Sequence, residues 1–453
     1  MFRSLNKEID KTPLEDWIAR KIGLKAGELT QEALDTYQLA QIRQTIAWAK
    51  EKSSFYRERF CAVEPESITD FSLFSKLPFT FPRDIRHNPQ RLVCTGQKDI
   101  ARIVTLKSSG TTGQPKRIFF TPEDQQLTID FFDTGMRNLV GPGERVLILL
   151  PWRQPGSVGD LLKTGLEGLG AKAILFGPVS DAEEAVKIAL QSKANSMVGI
   201  PTHVLAMARS KNGKLLSGRL KSVLLSTDYV PRSICIALEN IWGCKVFNHY
   251  GMTEMGLGGG VQCPALAGYH LREADLYFEI IDPESGQVLD EGETGEIVFT
   301  TLTRVGMPLI RYRTGDLSRF IPGKCPCGTV LRSMEVVRSR IAGQIKLQNH
   351  SLSIAELDEV LFLFDEVVNY QVRIDRDSGM DCLYIDIKMS ENTLVSKDKD
   401  FKDRICRALR CIPAIQNEFP LSKQIVIINS GNSVPFSTGT GKRSIIDNRF
   451  NND

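Results

Sequence analysis

The residues with the clearest chemical potential lie in Thr105-Leu106-Lys107-Ser108-Ser109-Gly110-Thr111-Thr112-Gly113-Gln114-Pro115-Lys116. Gly110 and Gly113 let the backbone turn back on itself and bring N–H groups toward an anion. Ser108, Ser109, Thr111 and Thr112 add hydroxyl donors, and Lys116 adds a point charge. A polyphosphate needs that combination. Arg117 follows Lys116 where a Walker A loop has a Ser or Thr to ligate Mg2+, so this is not a Walker A loop. A flexible surface turn is the plain alternative for a Gly-Thr-rich run.

Two later stretches place polar groups where predicted strands end. Asn248-His249-Tyr250-Gly251-Met252-Thr253-Glu254 follows the apolar run Cys244-Lys245-Val246-Phe247. A hydroxyl on Thr253 and a carboxylate on Glu254, hinged at Gly251, suit a phosphate oxygen and Mg2+, although an ordinary strand-end turn would read the same way. In Tyr312-Arg313-Thr314-Gly315-Asp316, the Asp after a Gly turn can accept both ribose hydroxyls, as acidic residues do in other nucleotide sites. A fourth cluster is softer. Cys325 and Cys327 form a tight pair, with Cys263 and His270 about 60 residues upstream. Three thiolates and an imidazole suit structural Zn2+, but the Cys-x-Cys gap is shorter than usual, and buried free cysteines are the alternative.

The elements that must position these groups follow from periodicity. Residues 13–60 read as helices, with apolar positions of 39–50 at the i, i+3, i+4, i+7 spacing. From 101 to about 320, short apolar runs at 145–150, 173–176, 196–200 and 222–226 alternate with helical stretches such as 157–170 and 181–193. Such alternation predicts an α/β fold with mostly parallel sheets and helices on both faces, binding ligands at the C-terminal ends of strands. Residues 276–300 read as a hairpin turning at Asp282-Pro283-Glu284-Ser285-Gly286. After Arg338 a smaller α+β pattern begins, with helices at 354–363 and 399–410 and strands near 368–374, 382–389 and 424–428.

Taken in order, Ser-Ser-Gly-Thr-Thr-Gly-x-Pro-Lys, Tyr-Gly-x-Thr-Glu about 140 residues later, and Tyr-Arg-Thr-Gly-Asp resemble the three signatures of the acyl-adenylate-forming superfamily, which includes acyl-CoA synthetases, luciferases and peptide-synthetase adenylation domains. The helical lead-in, with Phe55-Tyr56-Arg57-Glu58-Arg59-Phe60 and Leu77-Pro78-Phe79-Thr80, is similar to the phenylacetate–CoA ligase branch. The resemblance implies a large N-terminal adenylation domain, residues 1–337, made of a lead-in at 1–100 and a nucleotide- and acid-binding core at 101–337. A small mobile α+β C-terminal domain, residues 338–453, would carry the catalytic lysine.

The same resemblance implies roles. Residues 108–113 and Lys116 would hold the phosphates of ATP, with Glu254 on Mg2+ and Thr253 at the α-phosphate. Tyr250, Gly251 and Met252 would lie along the adenine, Asp316 would bind the ribose, and Arg338 would face the nucleotide. Lys442, in Ser437-Thr438-Gly439-Thr440-Gly441-Lys442-Arg443, resembles the lysine that stabilises charge developing on carboxylate and α-phosphate. Some relatives of that branch carry a Cys…Gly-x-His segment and a Cys-Pro-Cys-Gly segment, which implies Zn2+ on Cys263, His270, Cys325 and Cys327. Homodimers are common in the branch.

The expected activity is an AMP-forming acid–thiol ligase passing its acyl group to coenzyme A. One departure bears on the acceptor: where phenylacetate–CoA ligases have roughly Gly-Arg-Ser-Asp-Asp-Met-Leu-Ile-Ile-Arg-Gly, this chain has Val337-Arg338-Ser339-Arg340-Ile341-Ala342-Gly343-Gln344-Ile345-Lys346-Leu347. An adenylating enzyme with a carrier-protein or other acceptor, and a non-catalytic nucleotide-binding homologue, are the rival readings. Trp152 and Tyr229, in stretches expected to wall the acyl pocket, suit an aromatic acid and equally suit a core.

Bulk properties exclude other classes. Lys plus Arg is 57 against 54 Asp plus Glu, so no global field points to nucleic acid or a membrane surface. The first residues lack an apolar h-region and no stretch approaches a membrane span, which makes a cytoplasmic protein the expectation. Ten cysteines scattered over 453 residues do not form a disulfide framework.

Overall fold

The computed structural model describes residues 9–106, 114–377, 379–390, 399–420, 424–429 and 443–450. They form two compact units that are discontinuous in sequence. The first takes the chain up to Pro142 with Trp152–Ala171 and Phe247–Val337; the second takes Gly143–Pro151, Lys172–Val246 and everything from Arg338 onward.

The first unit begins with helices Pro13–Lys21, Gln31–Lys52 and Ser54–Arg59, each opened by a hydroxyl cap: Thr12, Thr30 and Ser53 accept from Leu14, Ala33 and Tyr56 N–H groups. The long helix buries Ile42, Ile46 and Ala49 in a core shared with Phe74, Phe278, Phe299 and Tyr312. Its buried polar positions are also used. Gln38 and Thr45 donate to the carbonyls of Glu273 and Leu302, which ties the helix to the turns between strands.

Strands Leu276–Ile281, Gly295–Thr301 and Tyr312–Ser318 run antiparallel, as do Lys245–Tyr250, Gly260–Gln262 and Tyr269–Leu271 over their paired residues. The expectation of mostly parallel sheets therefore holds for only part of the chain. Short turns such as Asp282–Gln287 leave no room for a crossover helix, and antiparallel pairing follows.

The lead-in is pinned by one residue. Arg311 sits at φ 47, in the left-handed region, and its guanidinium reaches both oxygens of buried Glu279 at 2.9 and 3.1 Å and the carbonyls of Ser75 and Leu77.

The second unit contains the parallel strands that the apolar runs predicted. Lys172–Leu175, Arg145–Leu149, Ser196–Gly199 and Ser222–Leu225 lie side by side in that order. Helices Ala182–Gln191, Pro201–Ala208 and Arg232–Trp242 connect them or follow them. Pro201–Ala208 is apolar on nearly every face and buried throughout, as expected of a helix enclosed on all sides. The residues after Arg338 form strands Val367–Asp377 and Met380–Met389, flanked by Ile446–Asp447 and Ile425–Asn429, with helices Ile354–Leu361, Lys399–Leu409 and Pro413–Glu418. Leu357, Leu361 and Phe362 share one apolar core with Val204, Leu205 and Leu238. No described helix is long and apolar enough to cross a membrane.

Removing one partner of a buried ion pair leaves the other charge uncompensated. Glu279→Leu is expected to cost about 3–5 kcal/mol in urea unfolding, and adding Arg311→Met should recover part of that loss.

Candidate active site

Ser108, Ser109, Gly110, Thr111, Thr112 and Gly113 lie outside the described residues. The strands on either side of them, Arg102–Leu106 and Lys116–Phe120, pair antiparallel with Leu106 opposite Lys116. Lys116 thus opens a strand rather than closing a loose turn, and its direction is set by that ladder.

The Lys116 ammonium bonds the Glu254 carboxylate, 138 residues away in sequence. Tyr312 donates its hydroxyl to the same oxygen at 3.1 Å. Glu254 is only 2% exposed. Burial alone would raise its pKa, but the Lys116 charge and the hydrogen bonds from Lys116 and Tyr312 hold it below the ordinary carboxylate range. The site therefore holds an ionised, desolvated carboxylate with a cation beside it.

Local backbone geometry produces that placement. The chain leaves strand Lys245–Tyr250, makes a single 3-10 turn over Thr253–Met255, and reverses at Gly256, whose φ is 79. Leu257 and Gly259 N–H groups bond back to the Met252 and Tyr250 carbonyls. A Cβ on Gly251 would meet the Leu257 carbonyl oxygen at 2.0 Å, so only glycine fits there. Gly251, Met252 and Thr253 are half-buried, with the Glu254 side chain turned inward beside them.

Asp316 lies in strand Tyr312–Ser318, where the ladder with Gly295–Thr301 shifts register and Gly315 takes φ 77. The expected Gly turn is thus a bulge within a strand. A bulge re-aims a side chain, and here Thr314 Oγ1 accepts the Asp316 N–H while Gly315 N–H bonds Glu296. Tyr250 donates its hydroxyl to Asp316 Oδ2 at 3.1 Å, and its ring lies 5.8 Å from that of Tyr269.

Three residues of this site escaped sequence reasoning. Arg304 is buried and donates to the Glu254 carbonyl at 2.7 Å and to the Phe119 carbonyl at 2.9 Å, with its guanidinium over the Phe120 ring. Asp124 caps helix Pro122–Met136 and also accepts from Val305 and Gly306 N–H groups, fixing the turn that presents Arg304. The Lys116 strand and the Glu254 turn are stapled together through their backbones. His249 is half-buried with its ring about 6 Å from those of Phe131 and Phe132, and desolvation pushes its pKa down to about 4, so it is neutral near pH 7. None of the three stands in a pattern that spacing reveals.

The soft ligands converge as well. The donor atoms of Cys263, His270, Cys325 and Cys327 all lie within 4.8 Å of one another, and all four residues are buried. Cys263 and Cys325 sulfurs are 3.7 Å apart, and Cys327 Sγ is 3.5 Å from His270 Nε2. His270 Nδ1 faces the Arg332 carbonyl at 3.4 Å. Hydrogen bonding from Cys263, and then from His270, lowers the pKa of Cys327, while the same bond and then burial raise that of Cys263.

Arg338 belongs to the second unit, where its charge offsets a small part of the rise in the Tyr229 pKa that burial and the bond to Glu359 produce. Lys442 lies outside the described residues.

The AMP-binding enzyme family matches residues 33–303. The phenylacetate–coenzyme A ligase of Escherichia coli is 26% identical over 91% of this chain and 94% of its own length. That of Thermus thermophilus is 27% identical over 93% and 98%. Among solved structures, 2-hydroxyisobutyryl-CoA ligase in its postadenylation state superposes with a TM-score of 0.78 at 20% identity, covering 92% of this chain and 90% of that one. With three ordered signatures brought to paired side chains and a family match over more than half its length, the chain belongs to the AMP-binding enzyme family.

Proposed function

We propose that this protein is an AMP-forming acid–CoA ligase of the phenylacetate–CoA ligase kind. The observation that carries the reading is convergence: Lys116 from the first signature meets Glu254 from the second, and Tyr250 from the second meets Asp316 from the third. In the first step an oxygen of the substrate carboxylate attacks the α-phosphorus of ATP, and the α–β bridging oxygen leaves with pyrophosphate. Residues 108–113 and Lys116 receive the leaving phosphates, Asp316 and Tyr250 orient the nucleoside, and Thr253 lies beside the α-phosphate. Glu254 fits a Mg2+ ion, being buried, ionised and already faced by a cation; the ion would supply charge neutralisation on the phosphates. Lys442 neutralises the charge developing on the attacked phosphate. In the second step the thiol of coenzyme A attacks the acyl carbon and AMP leaves, after the domain from Arg338 onward has turned about a pivot near 338–340. An aryl acid is the substrate class this reading takes, in a cytoplasmic enzyme.

The test is ATP–pyrophosphate exchange with a panel of aryl and aliphatic acids, with and without coenzyme A. Acid-dependent exchange is expected, with thioester formed when coenzyme A is present. Lys442→Ala and Glu254→Gln should each lower exchange by roughly 100-fold or more, the scale of losing an electrostatic contact to the transition state. Exchange without thioester would transfer the reading to another acceptor, as the altered 338–347 segment allows. Absence of exchange with every acid would leave nucleotide binding alone.

The Cys3His cluster fits structural Zn2+ by its own geometry. A tetrahedron with metal–sulfur bonds of about 2.3 Å and a metal–nitrogen bond of about 2.0 Å has edges near 3.8 Å between sulfurs and 3.6 Å between sulfur and nitrogen. The 3.7 and 3.5 Å separations match those edges. The contact from His270 Nδ1 to the Arg332 carbonyl leaves Nε2 for the metal, the usual outer-shell arrangement. Protein prepared without chelator is expected to contain about one zinc per chain by elemental analysis, and Cys325→Ser should lower both zinc content and melting temperature. A zinc-free preparation of normal stability would overturn the assignment.

A further inference from the structure

The turn at 302–306 is held more firmly than a surface connection requires. Thr45 donates its hydroxyl to the Leu302 carbonyl at 3.0 Å, and Thr303 donates to Asp275 at 2.9 Å. The Trp48 indole N–H bonds the Val305 carbonyl at 3.2 Å, and the Cys94 N–H bonds that of Gly306 at 2.8 Å. Asp124 accepts the Val305 and Gly306 N–H groups at 3.0 and 3.2 Å. The approach is close enough that a Cβ on Gly306 would meet Asp124 Oδ2 at 2.6 Å. Anchors from four separate parts of the chain thus surround one buried side chain, that of Arg304.

Arg304 links two parts of the phosphate site through their backbones. One guanidinium nitrogen donates to the Glu254 carbonyl at 2.7 Å and the other to the Phe119 carbonyl at 2.9 Å, while Nε lies 3.9 Å from Asp124 Oδ2. The planar fork fixes the separation of those two carbonyls, which an ammonium on a flexible stem would not do. On strand Lys116–Phe120, residues 116, 118 and 120 share one face, because side chains alternate along a strand. Lys116 at one end of that face bonds the Glu254 carboxylate, and the Phe120 ring at the other end lies 4.5 Å from the guanidinium. The Glu254 turn is therefore tied to the same strand twice, by its side chain through Lys116 and by its backbone through Arg304. The first tie is an ion pair that incoming phosphates would compete for. The second involves neither of those charged side chains. The nucleoside contacts, Tyr250 with Asp316, lie on other strands.

We propose that Arg304 is a positioning residue for the phosphate half of the nucleotide site: it holds the Lys116 strand and the Glu254 turn at a fixed spacing after the phosphates of ATP have drawn Lys116 away from Glu254. It acts through those two residues rather than on the substrate. The proposal rests on the ligase reading above, and it requires the loss of Arg304 to be felt by the phosphates and not by the nucleoside. A general structural role would weaken both.

The experiment measures calorimetric binding of MgATP and of adenosine to the full-length wild type, Arg304→Lys and Phe120→Leu, alongside pyrophosphate exchange over a Mg2+ titration. Arg304→Lys keeps the charge and loses the fork. It is expected to weaken MgATP binding by about 10-fold, the scale of one lost hydrogen bond to a charged group, and to raise the Mg2+ needed for half-maximal exchange by about 5–10-fold. Adenosine affinity and the KM for the acid should stay within about 3-fold of wild type. Phe120→Leu removes the ring beside the guanidinium, leaves both hydrogen bonds and keeps the position apolar, so it should fold. It is expected to weaken MgATP binding by about 2–4-fold, again sparing adenosine. That variant carries the test if Arg304→Lys does not fold. Equal losses for MgATP and adenosine, or MgATP binding unchanged in every variant that folds, would overturn the proposal. Absence of exchange in the wild type with every acid would instead overturn the ligase reading, and the comparison of MgATP with adenosine would still decide the role of Arg304.

Discussion

A carboxylate kept ionised inside the protein is the constraint from which the site is built. Glu254 is almost fully enclosed, and an isolated charge there would be strongly unfavourable. It is tolerated because Lys116 brings a cation and Tyr312 a hydroxyl to the same oxygen. Those two partners come from separate strands, so both strands must be held in register with the Glu254 turn. Arg304 does this for the Lys116 strand through the Glu254 and Phe119 carbonyls, and Asp124 holds the turn that carries Arg304. Gly251 and Gly256 let the turn fold tightly enough for the carboxylate to point inward. Each of these features would be unnecessary if position 254 were apolar.

The second unit solves a similar problem differently. Its buried charges, Asp358 and Arg443, neutralise each other within the C-terminal part, and Tyr370 bonds the second oxygen of Asp358. Glu359, the next residue along the same helix, faces outward and bonds backbone N–H groups rather than a cation. The helix therefore carries one carboxylate committed to its own domain and one that docks elsewhere. Neutral donors at a helix start can be exchanged for water at modest cost, whereas breaking a buried ion pair leaves a stranded charge.

Much of this was legible in the sequence, and the reasons for success and failure are physical. The parallel strands were recognisable because both faces are covered, which leaves continuous apolar runs such as Val146-Leu147-Ile148-Leu149. Lys116, Tyr250, Glu254 and Asp316 stood out because phosphate, metal and ribose recognition need particular residue types beside glycines. The Cys and His positions could be listed but not joined, since nothing in the spacing brings 263 and 270 to 325 and 327. Strand Tyr269–Leu271 does so by pairing with Ser333–Met334, placing His270 opposite Ser333. Arg304, His249 and Glu359 were invisible for a related reason. Each acts through a long-range backbone or ring contact, and a single polar residue without a period or a motif carries no local signal. The antiparallel sheets were under-read because the strand–helix rhythm of 145–225 was extended past the point where short turns replace helices.

The buried ion pair also bears on whether the site performs chemistry. For stability alone, well-packed apolar side chains of similar volume serve as well as a buried pair or better. The fold has no need of a charge at 254, because Met255 beside it and Ile118 and Phe120 on the Lys116 strand already belong to an apolar core. A carboxylate held below its ordinary pKa in such a setting, with a lysine beside it at the end of a glycine-rich connection, is useful mainly when a polyanion and its counter-ion arrive to compete for both partners. Lys116 would then be able to turn toward phosphate while Glu254 held a counter-ion, which would supply further positive charge to the phosphates. A protein that merely bound a nucleotide could make do with the ribose contact and a ring to stack on. The desolvated lysine–carboxylate pair favours an enzyme that stabilises charge while a phosphoanhydride bond breaks.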